Sequence, residues 1–172
     1  RSRGLGDVYK RQVRSREPGE DRNKIVRPVK SKKLMGLDLG DQRIGIAVAF
    51  KETQMAIPKG HLNRDSLQKD IKILLELASE QNVEAFVVGM PYTLQGHIGD
   101  QAKKALRFIK ELRKRTDLPV SAIDETYTSV EANGVLRDLG MKPSENKGQT
   151  DATAAALILE RFMELVISDK IN

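Results

Sequence analysis

Two spacings of apolar residues run along this chain, and they predict different elements. Continuous apolar runs, or apolar residues alternating with small ones, are typical of strands. They occur at 33–38, 43–49, 55–60, 83–89 and 118–123. Pro58 removes one backbone donor, so the third run suits the edge of a sheet. The uninterrupted runs at 83–89 and 118–123 are typical of strands covered on both faces.

Apolar residues spaced three and four positions apart predict helices between and after these strands. The helices fall at about 66–80, 100–115, 128–139 and 150–166. The resulting order, ββ(β)αβαβαα, predicts an α/β protein with a mixed central β-sheet flanked by α-helices. This is the element order of the ribonuclease-H-like fold, and we expect one such domain over 33–168.

The first 32 residues are treated separately. Residues 1–12 resemble a translated sequencing adaptor, and the first Met of the chain, Met35, lies inside the first predicted strand. We therefore expect 1–32 to be a non-native, adaptor-derived or disordered tail, with a start at a non-ATG codon such as that of Val26 or Val29.

Setting the first residues apart changes what the net charge of the chain indicates. Residues 1–34 hold 12 of the 30 basic and 4 of the 24 acidic residues, so 35–172 carry 18 basic and 20 acidic residues. The net charge of +6 is therefore no argument for nucleic-acid binding, and a basic surface must be argued locally. The chain has no Cys, which excludes disulfides and thiolate metal sites. Without a signal peptide or a membrane span, we expect a cytoplasmic protein.

Acidic residues stand at the ends of three predicted elements. Asp38 ends the first strand, Asp124 and Glu125 end the last strand, and Asp151 begins the last helix. Strand ends of one polarity meet at one rim of a sheet. Three carboxylates that meet there need a cation between them, and hard oxygen ligands suit Mg²⁺ or Mn²⁺. Each acid also has a structural interpretation as a turn former or helix-capping residue.

Four motifs together resemble one family, the YqgF (RuvX-like) proteins. They are Gly36-Leu37-Asp38-Leu39-Gly40 with Arg43 and Gly45, Val87-Val88-Gly89-Met90-Pro91, Asp124-Glu125-Thr126-Tyr127-Thr128-Ser129, and Asn146-Lys147-Gly148 with Asp151. The resemblance spans residues 33–166. It implies a ribonuclease-H fold and a nuclease for precursor 16S rRNA, or a Holliday-junction-resolvase-like protein. It also implies Asp38, Glu125 and Asp151 as catalytic, metal-binding acids.

The resemblance further implies that Arg43, the loop from Tyr92 to Gly99 and Lys147 lie near the substrate. Tyr92 and Tyr127 are the aromatic side chains placed to stack on it. A basic stripe on the helix at 100–115 is a candidate track for phosphates, although solvated helix faces are ordinarily charged. The stripe consists of Lys103, Arg107, Lys110 and Lys114. We interpret His61 as structural or as a surface residue.

The expected function is a metal-dependent endonuclease for structured nucleic acid that processes the 5′ end of precursor 16S rRNA. The alternatives are a Holliday junction resolvase and a non-catalytic rRNA-binding module. The non-catalytic module rests on Thr126, which stands where the family usually has Arg. An actin-like ATPase needs two related domains, and about 140 residues supply one. The chain is expected to be a monomer or a homodimer.

Overall fold

A computed structural model describes residues 33–91, 99–124, 138 and 147–171, with side chains described up to residue 166. The strands are β1 (Lys33–Leu39), β2 (Arg43–Phe50), β3 (Met55–Asn63), β4 (Ala85–Met90) and β5 (Val120–Asp124). The helices are α1 (Leu67–Glu80), α2 (Asp100–Arg115) and α3 (Lys147–Ile171).

The strands form one mixed sheet in the order β3-β2-β1-β4-β5. β2 runs antiparallel to both β1 and β3, whereas β4 is parallel to β1 and β5 is parallel to β4. The predicted mixed sheet is confirmed, as is the edge position of the strand that contains Pro58. β1 lies at the centre, so the residues at its carboxyl end have neighbours on both sides.

Each face of the sheet carries its own apolar core. Alternate residues of the strands, among them Met35, Leu37 and Val88, pack with α1 and α2 on one face. The other set, among them Leu34 and Val87, packs with α3 on the opposite face. Burial on both faces accounts for the near-continuous apolar runs of β1 and β4.

Close packing of α3 on the sheet depends on small residues. A Cβ built on Gly36 would lie 2.5 Å from Leu159 Cγ and 2.6 Å from the carbonyl oxygen of Ala155. Two alanines of the helix, Ala155 and Ala156, belong to the core on this face of the sheet. Because Gly36 has no side chain at this contact, the backbone of the helix at Ala155 and the side chain of Leu159 lie directly on the central strand.

Two predicted boundaries were wrong in instructive ways. The last helix begins at Lys147, not at Thr150. Its first turn is polar, so apolar periodicity does not mark it in the sequence. Thr153 Oγ1 donates to the carbonyl of Gln149 at 2.8 Å. The third strand extends to Asn63, since a β-bulge changes its phase after Pro58. The predicted helix at 128–139 and the tail at 1–32 lie outside the described residues, apart from residue 138.

Within the described part of the chain, every helix is too short or too polar to cross a membrane.

Candidate active site

Three residues lie in a row across β1, β2 and β3. Asp38 is paired with Gly45, and Gly45 is paired with His61. Residues that are directly opposite in antiparallel strands project to the same face of the sheet. Gly36, two positions before Asp38, faces α3, so Asp38 belongs to that same face. The candidate catalytic acid of β1 therefore lies on the α3 side of the sheet.

Asp151 reaches this row through the backbone of α3. A Cβ built on Gly45 would overlap the carbonyl oxygen of Asp151, and Ala152 N would lie 3.1 Å away. The absence of a side chain at Gly45 thus allows the first turns of α3 to rest on β2, beside Asp38. The structure brings two of the three predicted catalytic acids to one face and one end of the sheet.

Arg43 binds one of these acids directly. Its Nε donates to Asp151 Oδ2 at 2.5 Å, and both side chains are 24% exposed. Arg43 precedes Gly45 by two residues in β2 and so projects to the same face. A strand residue 108 positions away thus supplies a basic partner to this group of acids.

The acids at the end of β5 are divided by the alternation of the strand. Ile123 belongs to the core beneath α3, whereas Val120 and Ala122 belong to the opposite core. Asp124 follows Ile123 and pairs with Met90, so it belongs to the face of α1 and α2. It therefore lies on the opposite face from Asp38. Glu125, the other member of the pair, lies outside the described residues, as do Tyr92 and Tyr127.

The turn after Asp38 is held by two clusters of polar contacts. Arg64 donates from Nη1 to the carbonyl of Gly40 at 2.8 Å and from its backbone N to the carbonyl of Gln42 at 2.9 Å. The guanidinium is fixed in turn by Asp70, whose Oδ2 accepts from Arg64 Nε at 3.2 Å. Asp70 is a buried acid, with a side chain only 2% exposed, and its Oδ1 accepts from the backbone N of Asp65 at 3.0 Å.

The second cluster joins this turn to α2. Asp41 accepts from Lys104 Nζ at 2.6 Å and from Gln101 Nε2 at 2.7 Å. The hydrogen bond from Lys104, followed by that from Gln101, lowers the pKa of the Asp41 carboxyl below its ordinary value. The first turn of α2 is thereby placed at the rim of the sheet where Asp38 lies.

The basic stripe of α2 starts at this rim. All four of its side chains are exposed: Lys103, Arg107, Lys110 and Lys114. Lys103 contacts Asp100 at 2.9 Å and Lys114 contacts Glu111 at 2.7 Å, and the helix between the two lysines rises about 16 Å. On the apolar side of this helix, Ile109 and Leu112 are buried, but Leu106 is only partly covered.

His61 packs against the first turn of α3, a contact that the sequence did not predict. Its ring lies against Gly148, where a Cβ would overlap Nδ1 and Cε1. A bulge in β3 produces this orientation: Ile46 pairs with Gly60 and Ala47 with Pro58, so one residue is extra and the side-chain phase changes. Gly60, with a φ of +115°, is the local signal that sequence analysis missed. Lys147, predicted near the substrate, is exposed in the same first turn of α3.

The donors at this site suit a hard divalent cation. Asp38 and Asp151 supply carboxylate oxygens, which Mg²⁺ and Mn²⁺ prefer, and neither thiolate nor thioether is needed. Among the described residues no cluster of three His, Cys, Asp or Glu side chains forms a ready metal site. Among the described residues, two acids are thus placed together here.

A three-stranded antiparallel meander continued by two parallel strands, with helices on both faces, defines a ribonuclease-H-like α/β protein. The family model described as "RuvX: Holliday junction resolvase" matches residues 32–165. The chain belongs to the RuvX family.

Curated relatives agree with this assignment. The chain is 41% identical over 130 residues to a protein of Acaryochloris marina named "Putative pre-16S rRNA nuclease", covering 76% of this chain and 90% of the relative. A protein of the same name from Chloroflexus aurantiacus is 36% identical over 131 residues, covering 76% and 86%. Among solved structures, T. thermophilus RuvC in complex with a Holliday junction substrate is similar with a TM-score of 0.47 and 17% identity, covering 73% of this chain and 90% of that chain.

Proposed function

We propose that this protein is a metal-dependent endonuclease that cleaves structured nucleic acid, with the 5′ end of precursor 16S rRNA in ribosome biogenesis as its substrate. The observation that carries the proposal is that Asp38 and Asp151 lie on the same face of the sheet. Gly45 pairs with Asp38 and packs against the backbone of Asp151. The names of the curated relatives support the choice of substrate.

In this proposal Asp38, Asp151 and Glu125 hold Mg²⁺ or Mn²⁺. Such a cation, when bound, activates water and stabilises the leaving oxygen of a phosphodiester. The protein's own contribution is positioning. The turn after Asp38 is fixed by Arg64 and Lys104, so the carboxylate at the end of β1 is held in place before substrate arrives.

The remaining predicted residues bind the substrate. Lys103 and Arg107 of the α2 stripe, together with Lys147, interact with backbone phosphates, which gives affinity without base specificity. Tyr92 and Tyr127 stack on unpaired bases of the RNA. The Asp41–Lys104 contact supports this assignment, because it holds the first turn of α2 at the rim of the sheet where Asp38 lies.

Cleavage of defined substrates tests the proposal. Full-length protein is incubated with a precursor 16S rRNA fragment and with a four-way DNA junction, each with and without Mn²⁺, beside Asp38→Asn and Asp151→Asn. We expect metal-dependent cleavage of the RNA that falls at least about a hundredfold in either variant, since each removes an anionic ligand. An RNA that stays intact with the metal present would overturn the enzyme assignment.

A junction resolvase is the second candidate, and the description of the family model favours it. It predicts cleavage of the four-way junction and a two-fold dimer on that substrate. The same assay separates the candidates, because each names a different substrate. If neither substrate is cut and RNA binding persists in Asp38→Asn, the chain is a binding module.

A further inference from the structure

We propose that Arg43 is the internal counter-ion of the acidic site. It forms an ion pair with Asp151 in the metal-free protein, and a divalent cation displaces it from that carboxylate. This inference rests on the proposed metal site. It gives Arg43 a role in setting metal affinity, which differs from the substrate contact expected from sequence.

The position of Arg43 supports this role. Its Nε lies 2.5 Å from Asp151 Oδ2, and it projects from β2 two residues before Gly45, the strand partner of Asp38. A diagonal neighbour across an antiparallel pair lies about 7–8 Å away at Cα. The guanidinium therefore contacts Asp151, while the Cα of Arg43 lies one diagonal step from that of Asp38.

The charges explain why a cation is needed there. Two carboxylates on one face at one strand end repel each other, and the guanidinium of Arg43, in contact with Asp151, offsets part of that repulsion. Arg stays protonated at every accessible pH and suits a carboxylate geometrically. The pair is partly open to solvent, with both side chains 24% exposed. A metal ion can therefore reach Asp151, and the released guanidinium can extend into solvent.

In the alternative arrangement, Arg43 keeps its hydrogen bond to Asp151 while that carboxylate binds the metal. Carboxylates that bind metals are commonly held by outer-shell hydrogen bonds, and loss of such a bond weakens metal binding. The two arrangements predict opposite signs for the same substitution. If Arg43 competes with the metal, its removal tightens metal binding; if Arg43 supports the ligand, its removal weakens it.

The experiment is a calorimetric titration of Mn²⁺ alone into the full-length chain. The variants are Arg43→Gln, Arg43→Lys and Asp151→Asn. Arg161→Gln is the matched control, because Arg161 contacts Glu164 at 3.4 Å on the same helix, at an exposed position. We expect Arg43→Gln to bind Mn²⁺ about fivefold more tightly, as for release of a partly exposed ion pair, and Arg161→Gln to match wild type.

Thermal unfolding gives a second readout. Metal-free Arg43→Gln should melt below wild type, because the carboxylates lose their counter-ion, and saturating Mn²⁺ should raise its Tm by more than it raises that of wild type. If Arg43→Gln does not fold, Arg43→Lys decides the question, since the lysine loses the planar Nε contact and should also bind Mn²⁺ more tightly than wild type.

The outcomes separate this inference from the proposed function. Unchanged or weaker Mn²⁺ binding in the Arg43 variants, with binding lost in Asp151→Asn, overturns the counter-ion role and leaves the metal site standing. Unchanged binding in Asp151→Asn removes Asp151 from the metal site and overturns both.

Discussion

Gly45 in β2 lies directly beneath the backbone of Asp151 in α3, with no room between them for a methyl group. This contact sets the height of the helix above the sheet at the place where the candidate acids meet. It also ties the position of Asp151 to the pairing of Gly45 with Asp38. The consequences of this contact, and of three others around the site, can be measured.

Gly45→Ala should destabilise the protein by about 2–3 kcal/mol, the cost of forcing extra volume into a packed contact. Its Cβ would overlap backbone, which has to move, so Asp151 should shift and Mn²⁺ affinity should fall. Urea denaturation and Mn²⁺ titration measure the two effects.

Gly36→Ala is the matched control for Gly45→Ala. Its Cβ would meet Leu159 and the carbonyl oxygen of Ala155, one turn or more further along the same helix from Asp151. We expect a similar loss of stability and a smaller loss of Mn²⁺ affinity. Equal affinity losses in the two variants would show that the Gly45 contact has no special relation to the acids.

Asp70→Ala should cost about 3 kcal/mol, because it leaves Arg64 and the backbone N of Asp65 without their buried acceptor. Since Arg64 also holds the carbonyl of Gly40, the turn after Asp38 should loosen. Chemical denaturation gives the free energy, and hydrogen exchange of the turn amides gives the local effect.

The control for Asp70→Ala is Asp65→Ala. Asp65 contacts Lys69 at 2.6 Å, but its side chain is 61% exposed, and such surface pairs contribute about 0–1 kcal/mol. A change in unfolding free energy no larger in Asp70→Ala than in Asp65→Ala would contradict the bracing role.

The Asp41 contact with α2 should depend on pH. The folded protein lowers the pKa of Asp41, so its contribution to stability is present above the unfolded pKa of about 4 and is lost as pH falls through the lowered folded value. The stability difference between wild type and Asp41→Asn should be visible at neutral pH and shrink in acid. It should also shrink in high salt, because the contact is exposed. A difference independent of both would exclude the electrostatic explanation.

Reversing charge on the basic stripe tests whether it binds nucleic acid. The double variant Arg107→Glu/Lys110→Glu should weaken RNA binding about tenfold or more and reduce the salt dependence of log K by roughly 0.7–0.9 for each lost phosphate contact. Fluorescence anisotropy at several salt concentrations measures both.

Lys72→Glu provides a control for the stripe on another helix. Lys72 is 75% exposed on α1 and contacts Glu76 at 3.8 Å. Its reversal should leave the salt slope unchanged. Equal effects of the two reversals would identify the stripe as an ordinary solvated helix face.

Local patterns in the sequence were enough to predict the described elements and to name candidate acids. The apolar runs of β1 and β4 and the spacing in α2 report which surfaces are buried, and burial is a property of neighbouring residues. Asp38 and Asp151 could be selected as candidates because Asp38 lies near the end of β1 and Asp151 lies near the start of α3. The element order then placed both at one end of a mixed sheet.

Tertiary structure alone decided how the charges and glycines meet. The Arg43–Asp151 pair joins residues 108 positions apart, and it depends on the height of α3 over Gly45. The bulge beside Gly60 turned His61 toward Gly148, and strand alternation placed Asp124 on the face opposite Asp38. The sequence by itself determined which of the described segments are strands and helices and which acids lie near their ends, because periodicity is local. Register, bulge and helix height decided the contacts, because they arise only when distant segments pack.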